Sequence, residues 1–448
     1  MSHAFRQNDI RGVVGTDLTE EFVQELGKAV ATFYYRHGVE TISIGYDSRL
    51  SSPRFKELLA LGLTSSGINV IDLGMGPTPL VYYSLFNLPI DGGIMITGSH
   101  NPPNENGFKI CLGKSTIHGR DIQEIRRIME TKDYRAGEGK LTAKALIPDY
   151  VDYLRTIIKP GPKKIKVVVD AGNGTGNLTA IHLYQSLGWE VIDLFSEPDG
   201  NFPNHHPDPT LPESLKALTA KVKETKADLG ISLDGDADRL GVIDAQGRIL
   251  WGDQLMIIYS RVIIKQSPGA KIIGEVKCSQ SMYDSIKAMG GNPIMWKVGH
   301  SLIKAKMKEE GALLAGEMSG HLFFADRYFG YDDAVYAGAR LLEILSQSEQ
   351  TLCEMVDQLP KTISTPEIRF DCPDEKKFGL VKMLIKKFKE KYQVIDIDGA
   401  RIIFPHGWGL VRASNTQPIL VMRFEADSEA ALADIQAEVR AELDQLVK

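Results

Sequence analysis

The sequence has few cysteines and no excess of positive charge. Its 448 residues include four cysteines, which are too few for a disulfide framework and too widely spaced for a zinc site. Lysine and arginine total 52 against 58 aspartates and glutamates, a net charge of −6. The chain therefore lacks the basic surface with which proteins hold a nucleic-acid backbone. These shortages predict reduced thiols in a cytoplasmic protein with no nucleic-acid partner.

Long hydrophobic stretches are also missing. The longest charge-free segment, residues 73–90, contains three prolines, so it does not form a membrane-spanning helix. The first residues include Arg6 and Asp9 and have no apolar run, so no signal peptide is visible. With 43% hydrophobic and 25% charged residues, the composition is typical of a globular enzyme with several cores. No membrane partner is expected.

Short apolar runs alternate with amphipathic segments, which is typical of βα units with mostly parallel strands. The runs occur as three similar pairs, and each run ends in a turn rich in Gly, Asp or Ser. The pairs predict three related α/β units, with a linker near Ile147 and Pro148. A lysine-rich helix, a hairpin at 394–399 and a final helix predict a smaller α+β unit after Pro360. The predicted domains are residues 1–147, 148–248, 249–361 and 362–448.

The sharpest chemical signal is DGDADR at residues 234–239. Asp234, Asp236 and Asp238 alternate with small residues after an apolar strand, so the three carboxylates can converge on one point. They repel one another unless a hard cation neutralises them, and oxygen ligands suit Mg²⁺. An EF-hand is excluded because Ala245 stands where that loop needs its glutamate. A solvated acidic turn and a phosphatase with an aspartate nucleophile remain alternatives.

A candidate nucleophile, Ser99, lies in TGSHNP at residues 97–102. It follows an apolar strand at a glycine-containing turn, where α/β sheets place reactive groups. The G-x-S-x-G motif of acyl hydrolases is absent, and a bare serine hydroxyl needs activation. A phosphorylated Ser99 would instead donate a phosphoryl group, and its charge would require a nearby cation. The two motifs together predict a phosphoryl-transfer site, whereas Ser99 alone also fits a simple turn.

Two further loops carry polar residues suited to a sugar phosphate. Residues 412–416 (RASNT) offer an arginine, hydroxyls and an amide, which suit a phosphate cradle or merely a polar loop. Residues 316–321 (GEMSGH) alternate a carboxylate, a hydroxyl and an imidazole, which could face one side and bind sugar hydroxyls, or form a cap or turn. No P-loop is present, and AGNGTG at 171–176 lacks the last glycine of a dinucleotide fingerprint. Neither ATP nor NAD is predicted.

The four loops together resemble those of the α-D-phosphohexomutase superfamily, in its bacterial phosphomannomutase/phosphoglucomutase branch. TGSHNP, DGDADR, GEMSGH and RASNT occur in the order of that family, and the resemblance covers nearly the whole chain. It implies an α/β fold of four domains around a central cleft: three related α/β domains with mixed sheets and a smaller C-terminal α+β domain of TBP-like type. It also implies an isomerase of carbohydrate metabolism that interconverts hexose 1-phosphate and hexose 6-phosphate of mannose or glucose.

The resemblance further implies a role for each candidate residue. Ser99 would be the phosphorylated catalytic serine, and it would complete a Mg²⁺ site with the three aspartates of residues 234–239. A lowered pKa would let Lys109 act as a base. The other implied roles are proton transfer by Lys109 and His300, support of the phosphoryl group by Arg11, His100 and Arg239, substrate binding by Lys277, Glu317, Ser319 and His321, and binding of the second phosphate by Arg412, Ser414, Asn415 and Thr416.

The implied ligands are sugar phosphates and Mg²⁺, with hexose 1,6-bisphosphate (glucose 1,6-bisphosphate) as intermediate and activator, bound by a monomer or weak homodimer. The chain departs from the family at Asn8, where an aromatic residue usually precedes Asp-Ile-Arg-Gly, and this leaves the preferred sugar open. The alternatives are a phosphoglucosamine mutase, a non-catalytic sugar-phosphate binding protein and a Mg²⁺-dependent phosphatase. Met318 argues against the first of these, and the retention of Ser99 and all three aspartates argues against the second.

Overall fold

A computed structural model of the chain describes residues 4–414 and 418–447. These residues form four sheets that follow one another along the sequence, and we call the parts built on them domains 1 to 4. The first three sheets are mixed and the fourth is antiparallel. The predicted fold class is therefore confirmed. All four cysteines are unpaired, and no helix in the described ranges has both the length and the hydropathy needed to cross a membrane.

Domain 1 contains a seven-stranded sheet: β1 (Ile10–Val13), β2 (Thr41–Tyr46), β3 (Asn69–Met75), β4 (Gly92–Ile96), β5 (Glu105–Leu112), β6 (Ser115–Thr116) and β7 (Leu141–Ala143). Four helices accompany it: α1 (Glu20–Arg36), α2 (Ser52–Thr64), α3 (Thr78–Asn87) and α4 (Arg120–Thr131). The strand order is β1-β5-β4-β2-β3-β7, with β6 beside β5. Strands β4, β2, β3 and β7 run parallel, whereas β5 is antiparallel to both of its neighbours in this order.

Domain 2 contains a five-stranded sheet: β8 (Lys166–Asp170), β9 (Glu190–Leu194), β10 (Leu229–Leu233), β11 (Leu240–Asp244) and β12 (Ile249–Leu250). Its helices are α5 (Ile147–Ile157), α6 (Ala180–Ser186) and α7 (Lys216–Thr225), with a 3₁₀ turn at Gly176–Leu178. The order is β12-β11-β10-β8-β9. The linker predicted near Ile147 and Pro148 adjoins residues 144–146, which have no regular secondary structure. Ile147 and Pro148 themselves form the first turn of α5, where the missing N–H of proline is tolerated.

Domain 3 contains a four-stranded sheet in the order β14-β13-β15-β16. Its strands are β13 (Lys271–Glu275), β14 (Asn292–Trp296), β15 (Leu314–Gly316) and β16 (Leu322–Phe324). Its helices are α8 (Gly252–Gln266), α9 (Gln280–Ala288), α10 (His300–Glu310), α11 (Ala334–Ser346) and α12 (Leu352–Asp357). Helix α11 is buried along its whole length, which places it at the centre of the molecule rather than on its surface.

Domain 4 contains a six-stranded antiparallel sheet: β17 (Ile363–Ser364), β18 (Ile368–Asp371), β19 (Gln393–Ile395), β20 (Ala400–Phe404), β21 (Gly407–Ala413) and β22 (Ile419–Ala426). Two helices pack on it, α13 (Asp374–Phe388) and α14 (Glu429–Val447). Strands β19 and β20 pair as a hairpin, as the sequence at 394–399 predicts.

Domains 1 to 3 share one strand arrangement. In each, a first strand lies between a second and a third that run parallel to it, and a fourth runs antiparallel to the third: β3-β2-β4-β5, β9-β8-β10-β11 and β14-β13-β15-β16. The predicted relation among the three units is therefore confirmed at the level of topology. The turn between the third and fourth strands carries TGSHNP in domain 1, DGDADR in domain 2 and the end of GEMSGH in domain 3.

The apolar cores explain how these turns are held. One hydrophobic core extends from α3 of domain 1 through domain 2 to α8 and α11 of domain 3, and includes Leu80, Ile231 and Tyr336. Domain 4 has its own core. It meets domain 3 through a small apolar cluster around Val276, Trp408 and Leu410. Burial of apolar surface between domains 1, 2 and 3 thus fixes their turns relative to one another.

Candidate active site

Ser99 lies in the turn after β4 and is almost completely buried. Its φ of +50° is in the left-handed region, which a serine occupies only when its surroundings stabilise it. The backbone N–H donates to Thr97 Oγ1 at 2.7 Å. The hydroxyl donates to Asp234 Oδ2 at 2.6 Å and lies 3.0 Å from His100 Nδ1. The serine of domain 1 and the aspartate loop of domain 2 are therefore in direct contact, as the two motifs together predict.

Arg49 and Asp47, after β2, hold the serine turn in place. The buried guanidinium of Arg49 donates to the carbonyl oxygens of Ser99, Asn101, Pro102 and Glu105 and pairs with Asp47 at 3.1 Å. Asp47 also accepts a hydrogen bond from the N–H of Gly98 at 3.1 Å. A Cβ on Gly98 would lie 2.4 Å from the guanidinium, so the turn needs glycine there. Arg49 thereby satisfies carbonyl groups that would otherwise be buried without a donor.

The three aspartates of residues 234–239 are completely buried and lie close enough to share a metal ion. Asp234 Oδ1 accepts the backbone N–H groups of Asp238 and Arg239 at 3.0 and 3.1 Å, which curl the loop around its carboxylate. Burial, together with the charges of Asp236 and Asp238, raises the pKa of Asp234 well above its usual value. Such crowding of buried carboxylates calls for a cation.

Lys109 of β5 supplies positive charge to this loop. Its ammonium group donates to Asp236 Oδ2 at 2.7 Å and to Asp238 Oδ2. Burial opposes the charged form, but these two carboxylates outweigh it and raise the pKa of Lys109 above its usual value. The prediction of a lowered pKa for Lys109 is therefore wrong, because it left out partners that come from another domain.

His300 and His321 form a second cluster beside the aspartate loop. Their rings stack with centroids 5.7 Å apart, and His321 Nδ1 lies 3.1 Å from the carbonyl oxygen of Asp238. The buried carboxylate of Asp332 lies 3.8 Å from His300 and 3.3 Å from His321 and pairs with Lys304 at 2.9 Å. Burial and the positive charge of Lys304 lower the pKa of His300 well below its usual value, so His300 is neutral.

The turn at residues 316–321 carries three polar side chains. Glu317 accepts the N–H of Gly299 at 2.6 Å and the hydroxyl of Ser319 at 3.3 Å, so these two lie together. Gly320, with φ +90°, reverses the chain and directs His321 toward the aspartate loop. Arg239 lies 3.2 Å from His321 Nε2, and the charge of Glu317 is among those that raise the pKa of Arg239. The segment is therefore a turn, which was one of the two predicted possibilities, and a shared role of its three polar side chains in sugar binding stays a prediction.

The second-phosphate candidates lie in domain 4 and at its contact with domain 3. Arg412 is buried and pairs with Asp398 at 3.1 Å, and Ser414 is buried beside it in sequence. Lys277 of domain 3 pairs with Glu367 of domain 4 at 2.6 Å. Lys277 and, more weakly, Arg412 lower the pKa of Glu367 to about 2, so both cations lie near one carboxylate. Asn415 and Thr416 lie outside the described residues.

The remaining candidates surround Ser99. Arg11 on β1 pairs with Asp9 and donates to Asn101 Oδ1 at 2.9 Å, which places it at the serine turn. Burial and the charges of Arg239 and Arg11 lower the pKa of His100 well below its usual value. Arg239 Nε lies 3.2 Å from His321 Nε2 and so connects the aspartate loop with domain 3. Arg11 and Arg239 therefore lie near His100, whose Nδ1 is 3.0 Å from Ser99 Oγ.

Models of the phosphoglucomutase/phosphomannomutase domains match the chain in order. Alpha/beta/alpha domains I, II and III match residues 2–136, 148–247 and 251–363, and the C-terminal domain matches residues 367–442. The chain is 46% identical over 440 residues to a phosphomannomutase/phosphoglucomutase of Pseudomonas aeruginosa, which covers 98% of this chain and 95% of the relative. The chain belongs to the phosphoglucomutase/phosphomannomutase family.

Two other relatives agree with this assignment. A phosphoglucomutase of Neisseria gonorrhoeae is 46% identical over 445 residues, 98% of this chain and 96% of the relative. The crystal structure of a phosphoglucomutase/phosphomannomutase family protein from Burkholderia thailandensis superposes with a TM-score of 0.93 at 40% identity, over 100% of this chain and 98% of that one. The likeness therefore includes the arrangement of all four domains.

Several residues of this family member are in the site although the sequence analysis gave them no role. Thr78, at the start of α3, donates its hydroxyl to Asp236 Oδ2 at 2.5 Å. Asp332 contacts both His300 and His321, and Arg49 holds the serine turn. The position of Arg49 directly after β2 is a sequence signal for a functional residue, but the carbonyl oxygens that it contacts are about fifty residues away. Asn8, the departure from the family pattern, accepts the hydroxyl of Ser301 at 2.9 Å and so ties domain 1 to the start of α10.

The aspartate loop fits a divalent cation. Asp236 Oδ1 and Asp238 Oδ1 are buried and have no hydrogen-bond donor among the described residues. Buried oxygens of this kind are costly unless a donor or a cation approaches them. The donor set is carboxylate and serine oxygen only, which suits Mg²⁺ and not a metal that prefers sulfur or imidazole. Asp234, Asp236, Asp238 and Ser99 are the residues that would hold the ion.

Proposed function

We propose that this protein interconverts hexose 1-phosphate and hexose 6-phosphate by phosphoryl transfer through Ser99. The observation that carries the proposal is the 2.6 Å contact between Ser99 Oγ and Asp234 Oδ2. An unmodified serine would need an adjacent base to become a nucleophile. His100 is the adjacent imidazole, but the surrounding carboxylates and cations instead suit a serine that already carries a phosphoryl group.

The reaction consists of two transfers of opposite direction. In the first, the free hydroxyl of the hexose phosphate attacks phosphorus, the bond between phosphorus and Ser99 Oγ breaks, and hexose 1,6-bisphosphate forms. The bisphosphate reorients in the site, and Ser99 Oγ attacks its other phosphorus. The bond between that phosphorus and the sugar oxygen breaks, and the isomeric hexose monophosphate is released. Such transfers depend mostly on positioning and charge neutralisation. When bound, Mg²⁺ supplies part of that neutralisation at the phosphoryl oxygens.

In this proposal, His300 and Lys109 transfer the protons. The hexose hydroxyl must lose a proton as it attacks, and Ser99 Oγ must end protonated or rephosphorylated. The Nδ1 atom of His300 has no hydrogen-bond partner among the described residues, so we assign it the role of acceptor, and the carboxylate of Asp332, 3.8 Å away, would stabilise the protonated ring. Lys109 is charged in the present arrangement, so it would stabilise the transferring group. It would release a proton only once its contacts with Asp236 and Asp238, which raise its pKa, are broken.

We assign to domains 3 and 4 the binding of the sugar phosphate in both of its orientations, with either end of the sugar at Ser99. Arg412, with Lys277, binds whichever phosphate is not being transferred, since a guanidinium reads a phosphate and not a particular end of the sugar. Glu317 and Ser319 bind sugar hydroxyls. A carboxylate and a hydroxyl fit either glucose or mannose, so we propose that both are substrates. The same proposal includes Ser414, Asn415 and Thr416 as phosphate ligands and a monomer or weak homodimer. It also places the protein in the cytoplasm, since reduced cysteines persist in a reducing compartment.

The test is turnover of three purified substrates. Glucose 1-phosphate and mannose 1-phosphate should each be converted to the 6-phosphate with Mg²⁺ present, and a small amount of glucose 1,6-bisphosphate should raise the initial rate by phosphorylating Ser99. Glucosamine 1-phosphate should be converted at least about tenfold more slowly. Preferred turnover of glucosamine 1-phosphate would favour the amino-sugar alternative. Release of inorganic phosphate without isomerisation would favour a phosphatase.

A further inference from the structure

Asp398 lies in the turn between β19 and β20, and one of its carboxylate oxygens has two partners from different domains. Oδ2 accepts a hydrogen bond from Arg412 Nη2 at 3.1 Å. It also accepts the backbone N–H of Val298, in domain 3, at 3.0 Å. We propose that Asp398 is a positioning residue that aims Arg412 at the phosphate that is not transferred, an inference that rests on the proposed function.

Arg412 is oriented by Asp398, and one of its donors is unpaired among the described residues. Its side chain is 8% exposed, and its buried Nε–H has no partner among the described residues. A guanidinium has five N–H donors, so a carboxylate on one side leaves others for an anion. A buried donor without an acceptor is costly, and a phosphate oxygen at Nε would remove that cost. Asp398 therefore need not leave when the phosphate arrives.

The turn that carries Asp398 is shaped to approach Arg412. Gly399 has a φ of +101°, and a Cβ there would lie 2.6 Å from the Cβ of Arg412. Glycine thus permits the close contact between the turn and β21. The preceding residue, Ile397, packs with Val298 against the apolar cluster that joins domains 3 and 4. The position of the carboxylate is therefore fixed by an apolar contact as well as by its two hydrogen bonds.

The segment of domain 3 that contacts Asp398 is followed directly by two residues of the candidate active site. Val298 donates its N–H to Asp398, and Gly299 donates its N–H to Glu317 at 2.6 Å. The next residue, His300, begins α10 and stacks on His321. Three consecutive residues, 298–300, therefore contact Asp398, Glu317 and His321 in turn. Asp398 thereby fixes the position of Arg412 relative to Glu317 and His300.

A binding experiment in the Ser99→Ala background, where no phosphoryl group can be transferred, tests this role. We expect Asp398→Ala to raise the Kd of glucose 6-phosphate, measured by calorimetry, by at least about tenfold, which is the effect of losing a charged hydrogen bond. Asp398→Asn keeps an oxygen acceptor and should raise it less. Asp396→Ala removes an exposed ion pair with Lys389 in the same turn and should leave the Kd unchanged.

A double-mutant cycle with Arg412→Ala separates positioning from general damage. If Asp398 acts through Arg412, adding Asp398→Ala to Arg412→Ala should raise the Kd little further. An unchanged Kd in Asp398→Ala, or additive effects of the two substitutions, would overturn the proposal. Equal melting temperatures of the variants are expected, and a loss of affinity that tracks a loss of folded protein would overturn it as well. Because these are binding measurements, turnover by the wild type decides the proposed function separately.

Discussion

Ser99→Ala is expected to reduce mutase turnover by roughly 10⁴-fold or more, since removal of a covalent catalyst eliminates the reaction path and not merely one contact. The hydroxyl lost is the one that contacts Asp234 at 2.6 Å. The substitution should leave the fold intact, because the Ser99 turn is held by its backbone bonds to Thr97 and Arg49. Turnover of glucose 1-phosphate at saturating bisphosphate is the measurement.

Intact mass provides the second readout of this variant. After incubation with glucose 1,6-bisphosphate, the wild type should gain the mass of one phosphoryl group, about 80 Da, and the gain should map to the peptide that contains Ser99. Ser99→Ala should gain none. Ser115→Ala, a change at an exposed serine of the same domain, should behave as the wild type. A variant that lacks the Ser99 hydroxyl yet keeps full turnover would refute the assignment.

Asp236→Asn is expected to reduce turnover by at least roughly 100-fold and to weaken the binding of divalent metal. Asp236 is completely buried, and its Oδ2 accepts from Thr78 and Lys109. Its Oδ1 has no donor among the described residues. The asparagine keeps the shape of the side chain but removes the negative charge of one of the loop's three carboxylates. The measurements are calorimetric titration with Mn²⁺ and turnover over a range of Mg²⁺ concentrations.

The control for Asp236→Asn is Asp193→Asn, which changes an exposed aspartate of the same domain. Its metal affinity and its Mg²⁺ dependence should equal those of the wild type. A chelator such as EDTA should abolish turnover of the wild type, and added Mg²⁺ should restore it. Wild-type rates in the presence of the chelator, or unchanged metal binding by Asp236→Asn, would contradict a metal role for the aspartate loop.

The sequence predicted the main elements of the site because their chemistry is local. Three aspartates that alternate after an apolar strand have few uses other than to hold a cation, and a serine at a glycine-containing turn after another strand suits a reactive group. The shared strand order places both motifs after the third strand of their domain. The repeated unit, which the sequence indicated by its layout, thus explains why the functional turns occupy equivalent places.

Other features depend on contacts between distant parts of the chain and could not be predicted. The pKa of Lys109 is raised by aspartates more than 120 residues away, so the sequence around it suggests nothing about the direction. The role of Arg49 arises from carbonyl groups about fifty residues later. The contact between His321 and the carbonyl oxygen of Asp238 depends on the chain reversal at Gly320, which the sequence does not specify. Nothing in the sequence around Asp398 distinguishes it from an ordinary turn residue.

A divalent cation held by Asp234, Asp236 and Asp238 is expected to lie against Ser99. An anomalous difference map from crystals soaked in Mn²⁺ tests this expectation most directly, since Mn²⁺ takes oxygen ligands and scatters anomalously. We expect one strong peak within bonding distance of all three carboxylates and of the oxygen on Ser99. A peak elsewhere, or none at this loop at saturating Mn²⁺, would contradict it.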